Sequence, residues 1–283
     1  MVGQIGGIPD PRSGVPDLST IDIEALPDWE GDPLAFYYRP IEKGDWALTA
    51  LPFGVAMGYW SGLHRVYGMP ILTRGSDVWM SICPMEVESQ WIGIDNAGGH
   101  TVICGLGLGW AAAMASFHPE VERITVLERD EDVIEMNREI GLFDRLPDGL
   151  GDKIEVVRTD AFDWKPDSPV DLLMPDIWLD MVSDGRAEET RRMQGNIGAQ
   201  GVYFWGQELE IARHIVRDRE QITDATIADT AREFDLPLVG LDTEDYAENI
   251  KTAARQWMKG RWLEGTDVPD ELRSEADRLQ GSE

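Results

Sequence analysis

The amino-acid sequence predicts a mixed α/β fold built on a parallel sheet. From residue 100 onward, short apolar segments alternate with helical segments, as in parallel strands joined by right-handed crossovers. A glycine-rich segment, residues 105–109, follows the first apolar segment and precedes a helix. The chain has 283 residues, of which 42% are hydrophobic, so it can bury a sizeable core. These observations predict one large globular domain or two small ones.

Composition divides the chain into four parts. Residues 1–45 are rich in Pro, Gly and Asp and predict an irregular N-terminal arm. Residues 46–96 predict a small β-rich module, in which two strands flank a turn at residues 74–77 and a short amphipathic helix covers residues 85–92. Residues 97–262 predict the parallel-sheet domain, which is mostly helical from residue 207. Residues 263–283 form a polar tail.

The elements of the parallel-sheet domain follow from short apolar runs and from helical periodicity. The predicted strands are 101–105, 123–128, 153–158, 170–176 and 201–205. The predicted helices between them are 110–117, 130–140 and 187–197. The uncharged run from about 97 to 117 is nominally long enough to span a bilayer, but its five glycines favour strand, loop and helix start.

Charge excludes several classes of partner. The chain carries 53 acidic and 25 basic residues, and its formal net charge is -28. Such a field repels phosphate backbones and anionic lipids, so we expect neither a nucleic-acid nor a membrane partner. A small-molecule substrate is the remaining expectation.

Cysteine and histidine usage predicts neither a disulfide framework nor a metal site. Cys83 and Cys104 are the only cysteines, and the four histidines share no ligand spacing. The N-terminus shows no signal-peptide pattern. We therefore expect a cytoplasmic protein without a bound metal.

The glycine segment suits a ligand that approaches the backbone closely. Gly105, Gly107 and Gly109 end a strand and open a helix, where glycine permits tight turns. A dinucleotide fingerprint would need a small residue where Trp110 stands, so NAD and FAD are disfavoured. No lysine follows the glycines, so the phosphate-loop pattern is absent too.

Acidic residues stand at the ends of the next strands. Glu128, followed by Arg129, ends the second strand, where an acid can accept both hydroxyls of a ribose. Asp160 and Ala161 follow the third strand, where a carboxylate can accept an adenine amine. Asp176 follows the fourth strand. Open α/β sheets bind ligands at these carboxyl ends, so a joint site is predicted, although each acid could also be a solvated strand end.

These motifs resemble the class I S-adenosylmethionine-dependent methyltransferase superfamily, and within it the spermidine-synthase-like branch, over about residues 65–206. The resemblance implies a Rossmann-like sheet with a small N-terminal β module and helical C-terminal additions. It implies S-adenosyl-L-methionine as the cofactor. By this resemblance, the glycines at 105, 107 and 109 form the family's first motif, and Glu128 is the acid that binds the ribose. Asp160 and Ala161 match the pair that binds adenine, and Asp176 matches the active-site acid.

One position departs from the aminopropyltransferases of that branch. They carry an acid inside the glycine loop that holds the amine of decarboxylated S-adenosylmethionine, and the matching residue here is Leu108. The branch's polyamine-pocket pattern after the active-site acid is also missing. The departure favours intact S-adenosylmethionine as the cofactor.

Three further residues are candidates for contacts with the cofactor or the substrate, although ordinary packing could also explain each of them. Glu86 and Gln90 precede the first motif, as residues that touch the cofactor tail do in the family, but they also fit an ordinary amphipathic helix. Trp178 could present an aromatic face to a sulfonium or an amine of the substrate, although packing accounts for most tryptophans.

The sequence thus predicts a methyltransferase that acts on a small molecule, with Asp176 as its catalytic carboxylate. Two alternatives stay open. The first is aminopropyl transfer, or other chemistry on the methionine chain of the cofactor. The second is a non-catalytic protein that binds S-adenosylmethionine. Dimerisation through the N-terminal module, giving a homodimer, is an expectation from the family resemblance alone.

Overall fold

A computed structural model of the chain describes residues 21–273. The first 20 residues of the predicted arm and the last 10 residues of the predicted tail lie outside the described part. Within it, the regular structure consists of two sheets, seven α-helices and several short 3-10 helices.

The N-terminal sheet has four antiparallel strands in sequential order. The strands are β1 (Ile41–Lys43), β2 (Trp46–Met57), β3 (Leu63–Arg74) and β4 (Asp77–Ser81). β2 and β3 pair along almost their whole length, from Trp46 opposite Arg74 to Met57 opposite Leu63. Because β1 pairs only with residues 46–48 of β2, the far end of this hairpin projects beyond its neighbours.

The second sheet has five parallel strands in the order β7-β6-β5-β8-β9. The strands are β5 (Gly99–Cys104), β6 (Val121–Glu128), β7 (Ile154–Arg158), β8 (Leu172–Pro175) and β9 (Gly201–Val202). The order reverses between β5 and β8, so their carboxyl ends border the crevice where doubly wound sheets bind ligands. This is the Rossmann-like α/β sheet that the sequence predicted.

Helices cover both faces of the parallel sheet. They are α1 (Pro84–Asp95), α2 (Trp110–Ser116), α3 (Glu131–Ile140), α4 (Arg186–Ile197), α5 (Gln207–Arg217), α6 (Asp224–Glu233) and α7 (Tyr246–Trp257). Side chains of β5 alternate between two cores: Val102 and Cys104 pack with α5 and α7, while Ile103 packs with α2 and α3. The fold therefore has three layers around the strand that carries the glycine loop.

The structure differs from the sequence-based prediction at three places. Residues 41–43 form β1 where irregular chain was predicted, because the turn at 44–45 lets them pair with β2. The helix predicted over 85–92 extends over α1 and begins at Pro84, which occupies the first helical turn, where its missing amide N–H costs nothing. The fifth strand is only two residues long, because the chain turns into α5 at Gly206.

The uncharged run from 97 to 117 forms β5, the glycine loop and α2. Among residues 21–273, no helix has the length and apolar character needed to cross a bilayer.

We expect salt to stabilise the fold because the net charge of -28 repels itself. The Debye length, over which charges interact, falls from about 10 Å at 0.1 M salt to about 3 Å at 1 M. Thermal unfolding followed by circular dichroism should give a melting temperature several degrees higher in 1 M than in 0.1 M NaCl. Sucrose of equal osmolality is the control, and a melting temperature that salt leaves unchanged or lowers would contradict self-repulsion.

Candidate functional site

Gly105 is the residue that lets two strand ends meet. Its backbone has φ +100°, and a Cβ at this position would lie 2.0 Å from the backbone oxygen of Asp176. The amide of Asp176 in turn donates to the Cys104 carbonyl at 2.8 Å. Only glycine allows this approach of the ends of β5 and β8, which brings the glycine loop against the predicted active-site acid.

The other two glycines serve different contacts. Gly107 (φ +48°) faces Met80 of β4, whose sulfur would lie 2.4 Å from an added Cβ. Gly109 (φ +75°) precedes α2, and an added Cβ would meet Asn137 and Phe143 at 2.9 Å. Gly105 and Gly107 line the cleft described below, whereas Gly109 is outside its lining. Gly109 packs closely against Asn137 and Phe143, and the predicted contact of Gly109 with a cofactor stays a prediction.

Glu128 holds the glycine loop at the end of β6. One of its carboxylate oxygens accepts the amide of Leu106 at 3.0 Å, and the other accepts the amide of Asp130 at 2.8 Å. A carboxylate has about four acceptor positions, so capacity for ribose hydroxyls remains. The position fits the predicted contact with a sugar.

The turn after β7 carries the next predicted pair. Oδ1 of Asp160 accepts the amide of Phe162 at 2.9 Å, which fixes the turn and leaves further acceptor positions on the carboxylate. Ala161 is 6% exposed. The guanidinium of Arg192 lies 4.5 Å from the centroid of the Phe162 ring.

These strand ends border a single cleft of about 1000 Å³, part of which is open to solvent. We call its two flanks the β6 side and the β8 side. The β6 side is lined by Glu128, Arg129, Thr159, Asp160, Ala161 and Phe162. The β8 side is lined by Glu86, Gln90, Asp176, Ile177, Trp178 and Trp205. Gly105, Leu106 and Gly107 lie between the two sides, as the sheet order requires.

Asp176 and Glu86 form an acidic pair on the β8 side. Nε2 of Gln90 donates to Oδ2 of Asp176 at 2.6 Å. Burial raises the pKa of Asp176 from its ordinary 3.8 to about 7, against the opposing effects of Arg186 and Gln90. Glu86 is 6% exposed, and burial together with the nearby Asp176 charge raises its pKa well above the ordinary value. Both carboxyl groups therefore have raised pKa values, which suits general acid–base chemistry.

Two indoles wall the β8 side and are held by hydrogen bonds away from it. Nε1 of Trp178 donates to Glu189 at 2.5 Å, and Nε1 of Trp205 donates to Oγ of Ser89 at 2.9 Å. The Ser89 hydroxyl in turn donates to the Glu86 carbonyl at 2.9 Å within α1, so the Trp205–Ser89 bond links a fixed group of α1 to the segment after β9. The polar edges of both indoles are thus satisfied, and their apolar surfaces line the cleft.

The cleft brings together ten of the eleven predicted site residues, and Gly109 is the exception. Sequence reasoning missed the contributions of the N-terminal sheet and of α2. Trp79 and Met80 reach the cleft from β4, and the backbone amide of Leu108 lies 3.3 Å from the Met80 sulfur. Trp110, which was considered only as an obstacle to NAD, is 3% exposed and lines the cleft as well.

The position of Leu108 weakens one sequence argument. Its side chain is fully buried among the residues of the α2 core and is outside the cleft lining. A leucine there therefore says little about which charge a ligand carries. Of the charged side chains that line the cleft, four are acidic and Arg129 alone is basic, so the cleft as a whole favours a cation.

Comparison with known proteins gives partial structural matches. Neither a family model nor a curated protein sequence matches the chain. The structure described as "DhpI-SAM-HEP complex" is 25% identical, with 38% of this chain and 47% of that chain covered at a TM-score of 0.29. Spermidine synthase from Thermotoga maritima is 14% identical, with 56% and 54% covered at a TM-score of 0.34.

A third match is the mitomycin 7-O-methyltransferase MmcR, 23% identical, with 40% of this chain and 33% of that chain covered at a TM-score of 0.31. The chain spans about half the length of the first structures that it matches.

Replacing Gly105 by Ala should strongly destabilise the fold. The new methyl group would overlap the Asp176 carbonyl, and φ +100° is unfavourable for alanine. Urea unfolding should show a loss of about 2 kcal/mol or more. Gly62→Ala is the matched control, since nothing lies within 4 Å of its added Cβ, and it should stay within about 0.5 kcal/mol. Equal stability of the two variants would show that the strand ends do not approach closely.

Replacing Asp176 by Asn should change the pH dependence of stability. The pKa of Asp176 is higher in the folded chain, at about 7, than its ordinary 3.8, so the folded state binds the proton more tightly. The wild type therefore loses stability as pH rises from about 4 to about 7, and the amide variant escapes that loss. Relative to wild type, Asp176→Asn should gain about 1 kcal/mol or more between pH 4 and pH 8 in urea titrations.

The control for this titration is Asp242→Asn, at an exposed position outside the cleft. It should follow the wild-type curve over the same range. A constant difference between wild type and Asp176→Asn across that range would show that Asp176 is an ordinary ionised carboxylate.

Proposed function

We propose that the chain is an S-adenosylmethionine-dependent methyltransferase that acts on a small molecule. One observation carries the proposal: the residues that the sequence assigned to a nucleoside and to a reacting group, from four separate strand ends, border one cleft. Two of the matched structures, one described as a complex with SAM and one as a methyltransferase, are in line with the proposal.

The β6 side fits an adenosine. Glu128 has acceptor capacity for the ribose hydroxyls beyond its two loop amides, and Asp160 can accept the adenine amine. Phe162 adds an apolar surface for the base. The cleft offers acids and a glycine loop without a lysine, which suits a nucleoside better than a nucleotide triphosphate.

The β8 side would receive the acceptor and the sulfonium end. When bound, S-adenosylmethionine supplies an activated methyl carbon. Asp176 holds the nucleophilic group of the acceptor and accepts its proton, and the buried Glu86 carboxyl lines the same side of the cleft. Gln90 orients the Asp176 carboxylate at 2.6 Å. Trp178 and Trp205 exclude water and present their faces to a cation.

Aminopropyl transfer is a second candidate that one feature favours. The β8 side is acidic, with Glu86 beside Asp176, and such a site can hold the ammonium group that decarboxylated S-adenosylmethionine keeps. Parallel titrations with intact and decarboxylated S-adenosylmethionine separate the two reactions. A non-catalytic role predicts tight cofactor binding and no product when the protein is incubated with cofactor and a metabolite extract and examined by mass spectrometry.

Isothermal titration tests the cofactor directly. S-adenosylmethionine and S-adenosylhomocysteine should both bind, and NAD and ATP should not. Glu128→Gln should weaken binding about 10-fold to 100-fold, because hydrogen bonds to a charged group contribute about 1.5–3 kcal/mol. Glu131→Gln, at an exposed position three residues away, is the control and should bind as the wild type does. Binding of NAD or ATP in place of the sulfonium nucleoside would reject the proposal.

A further inference from the structure

Arg186 is a buried cation directly behind the cleft. It is the first residue of α4, after Gly185 with φ +84°, and its side chain is 1% exposed. It is among the largest fully buried side chains of the described chain. A buried charge is costly unless its donors are satisfied, so its partners reveal what the position does.

The guanidinium binds backbone carbonyls on two different segments. Nη1 donates to the carbonyls of Met181 and Trp205, both at 2.8 Å. Nη2 donates to the carbonyl of Asp180 and, at 3.4 Å, to the hydroxyl of Ser183. The side chain therefore fastens residues 180–183, which follow the acid at the end of β8, to the end of β9.

The local backbone is shaped for this contact. A Cβ on Gly206 (φ +81°) would lie 2.1 Å from the Met181 carbonyl and 3.2 Å from Nη1 of Arg186. Glycine at 206 thus makes room for both the carbonyl and the guanidinium. The arrangement depends on a specific residue of the β9–α5 turn as well as on Arg186.

The same guanidinium stacks on the walls of the cleft. Its Cζ lies 4.2 Å from the Trp178 ring centroid and 5.9 Å from that of Trp205. Trp178 is held a second time by Glu189, one turn further along α4. Both cleft indoles are therefore positioned from behind by the first turn of one helix.

Arg186 also acts on the acid of the cleft through space. Its charge lowers the pKa of Asp176, in opposition to burial, and burial lowers the pKa of Arg186 itself to about 10. The carbonyl ligands leave the positive charge of the guanidinium unneutralised. Four carboxylates balance it through space, those of Glu210, Asp176, Glu189 and Asp180. Loss of the charge would leave Asp176 harder to ionise.

We propose that Arg186 is a positioning residue of the β8 side, which fixes Trp178 and Trp205 at the cleft wall and keeps a positive charge behind Asp176. The role does not require that the ligand be S-adenosylmethionine. Arg186 thus determines both the position of the indoles and the local charge on the β8 side of the cleft.

Two substitutions separate these roles. Arg186→Lys keeps the charge but loses the planar fork and the stacking geometry, whereas Arg186→Met removes both. Arg191→Met is the matched control: Arg191 lies on the same helix and donates to the Phe234 carbonyl at 2.8 Å, away from the cleft. All variants are first compared by thermal unfolding.

The first readout is ¹⁹F NMR of protein labelled with 5-fluorotryptophan, with two resonances assigned through Trp178→Phe and Trp205→Phe. Both Arg186 variants should move these two resonances by more than Arg191→Met does and leave the other tryptophans in place. Unmoved Trp178 and Trp205 resonances in a folded Arg186 variant would overturn the proposal. If Arg186→Met does not fold, Arg186→Lys decides.

The second readout is the titration of Asp176, followed by ¹³C NMR of labelled aspartate carboxyls and assigned with Asp176→Asn. Arg186→Met should raise the midpoint by about 1 pH unit, a tenfold loss of acidity, and Arg186→Lys should shift it much less. Equal midpoints in wild type and Arg186→Met would overturn the electrostatic role. Neither readout needs bound cofactor, so a failure to bind S-adenosylmethionine would reject the proposed function and leave this test intact.

Discussion

The close approach of the Asp176 carbonyl to Gly105 is the contact on which the site depends. It brings the ends of β5 and β8 together at the point where the strand order reverses. Any side chain at 105 would push these ends apart, and the carboxylate would then leave the cleft. The glycine loop therefore does two things: it leaves space at the strand ends, and it allows the Asp176 carboxylate to line the cleft.

The polar face of α1 supports the same region from the inside. Glu86 and Gln90 face the cleft, and Ser89 bonds Trp205, while its carbonyl accepts the Tyr203 hydroxyl at 2.6 Å. Behind them the fully buried Glu208 accepts hydroxyls from three tyrosines, at positions 59, 203 and 246. Burial raises the pKa of Glu208 to about 7. These hydrogen bonds satisfy polar groups that would otherwise destabilise the core, and they fix α1 against α5 and α7.

Local sequence signals predicted the parallel strands, most helices and the acids at the strand ends, because periodicity and strand-end position are properties of short segments. Contacts between distant segments carry no such signal. Met80 of the N-terminal sheet contacts Gly107 of the parallel-sheet domain. No sequence signal singled out Arg186, although its side chain is 1% exposed. Leu108 shows the reverse error, since its place in a motif suggested a ligand contact while its side chain lies in the core.

The proposed function requires adenosine along the β6 side, with its sulfur-bearing tail directed toward Asp176. A crystal structure of the protein with S-adenosylhomocysteine would show this arrangement. We expect the ribose hydroxyls within hydrogen-bond distance of Glu128, the adenine beside Asp160 and Phe162, and the sulfur between the glycine loop and the β8 side. Density for the nucleoside outside this cleft, or in the reverse orientation within it, would contradict the account.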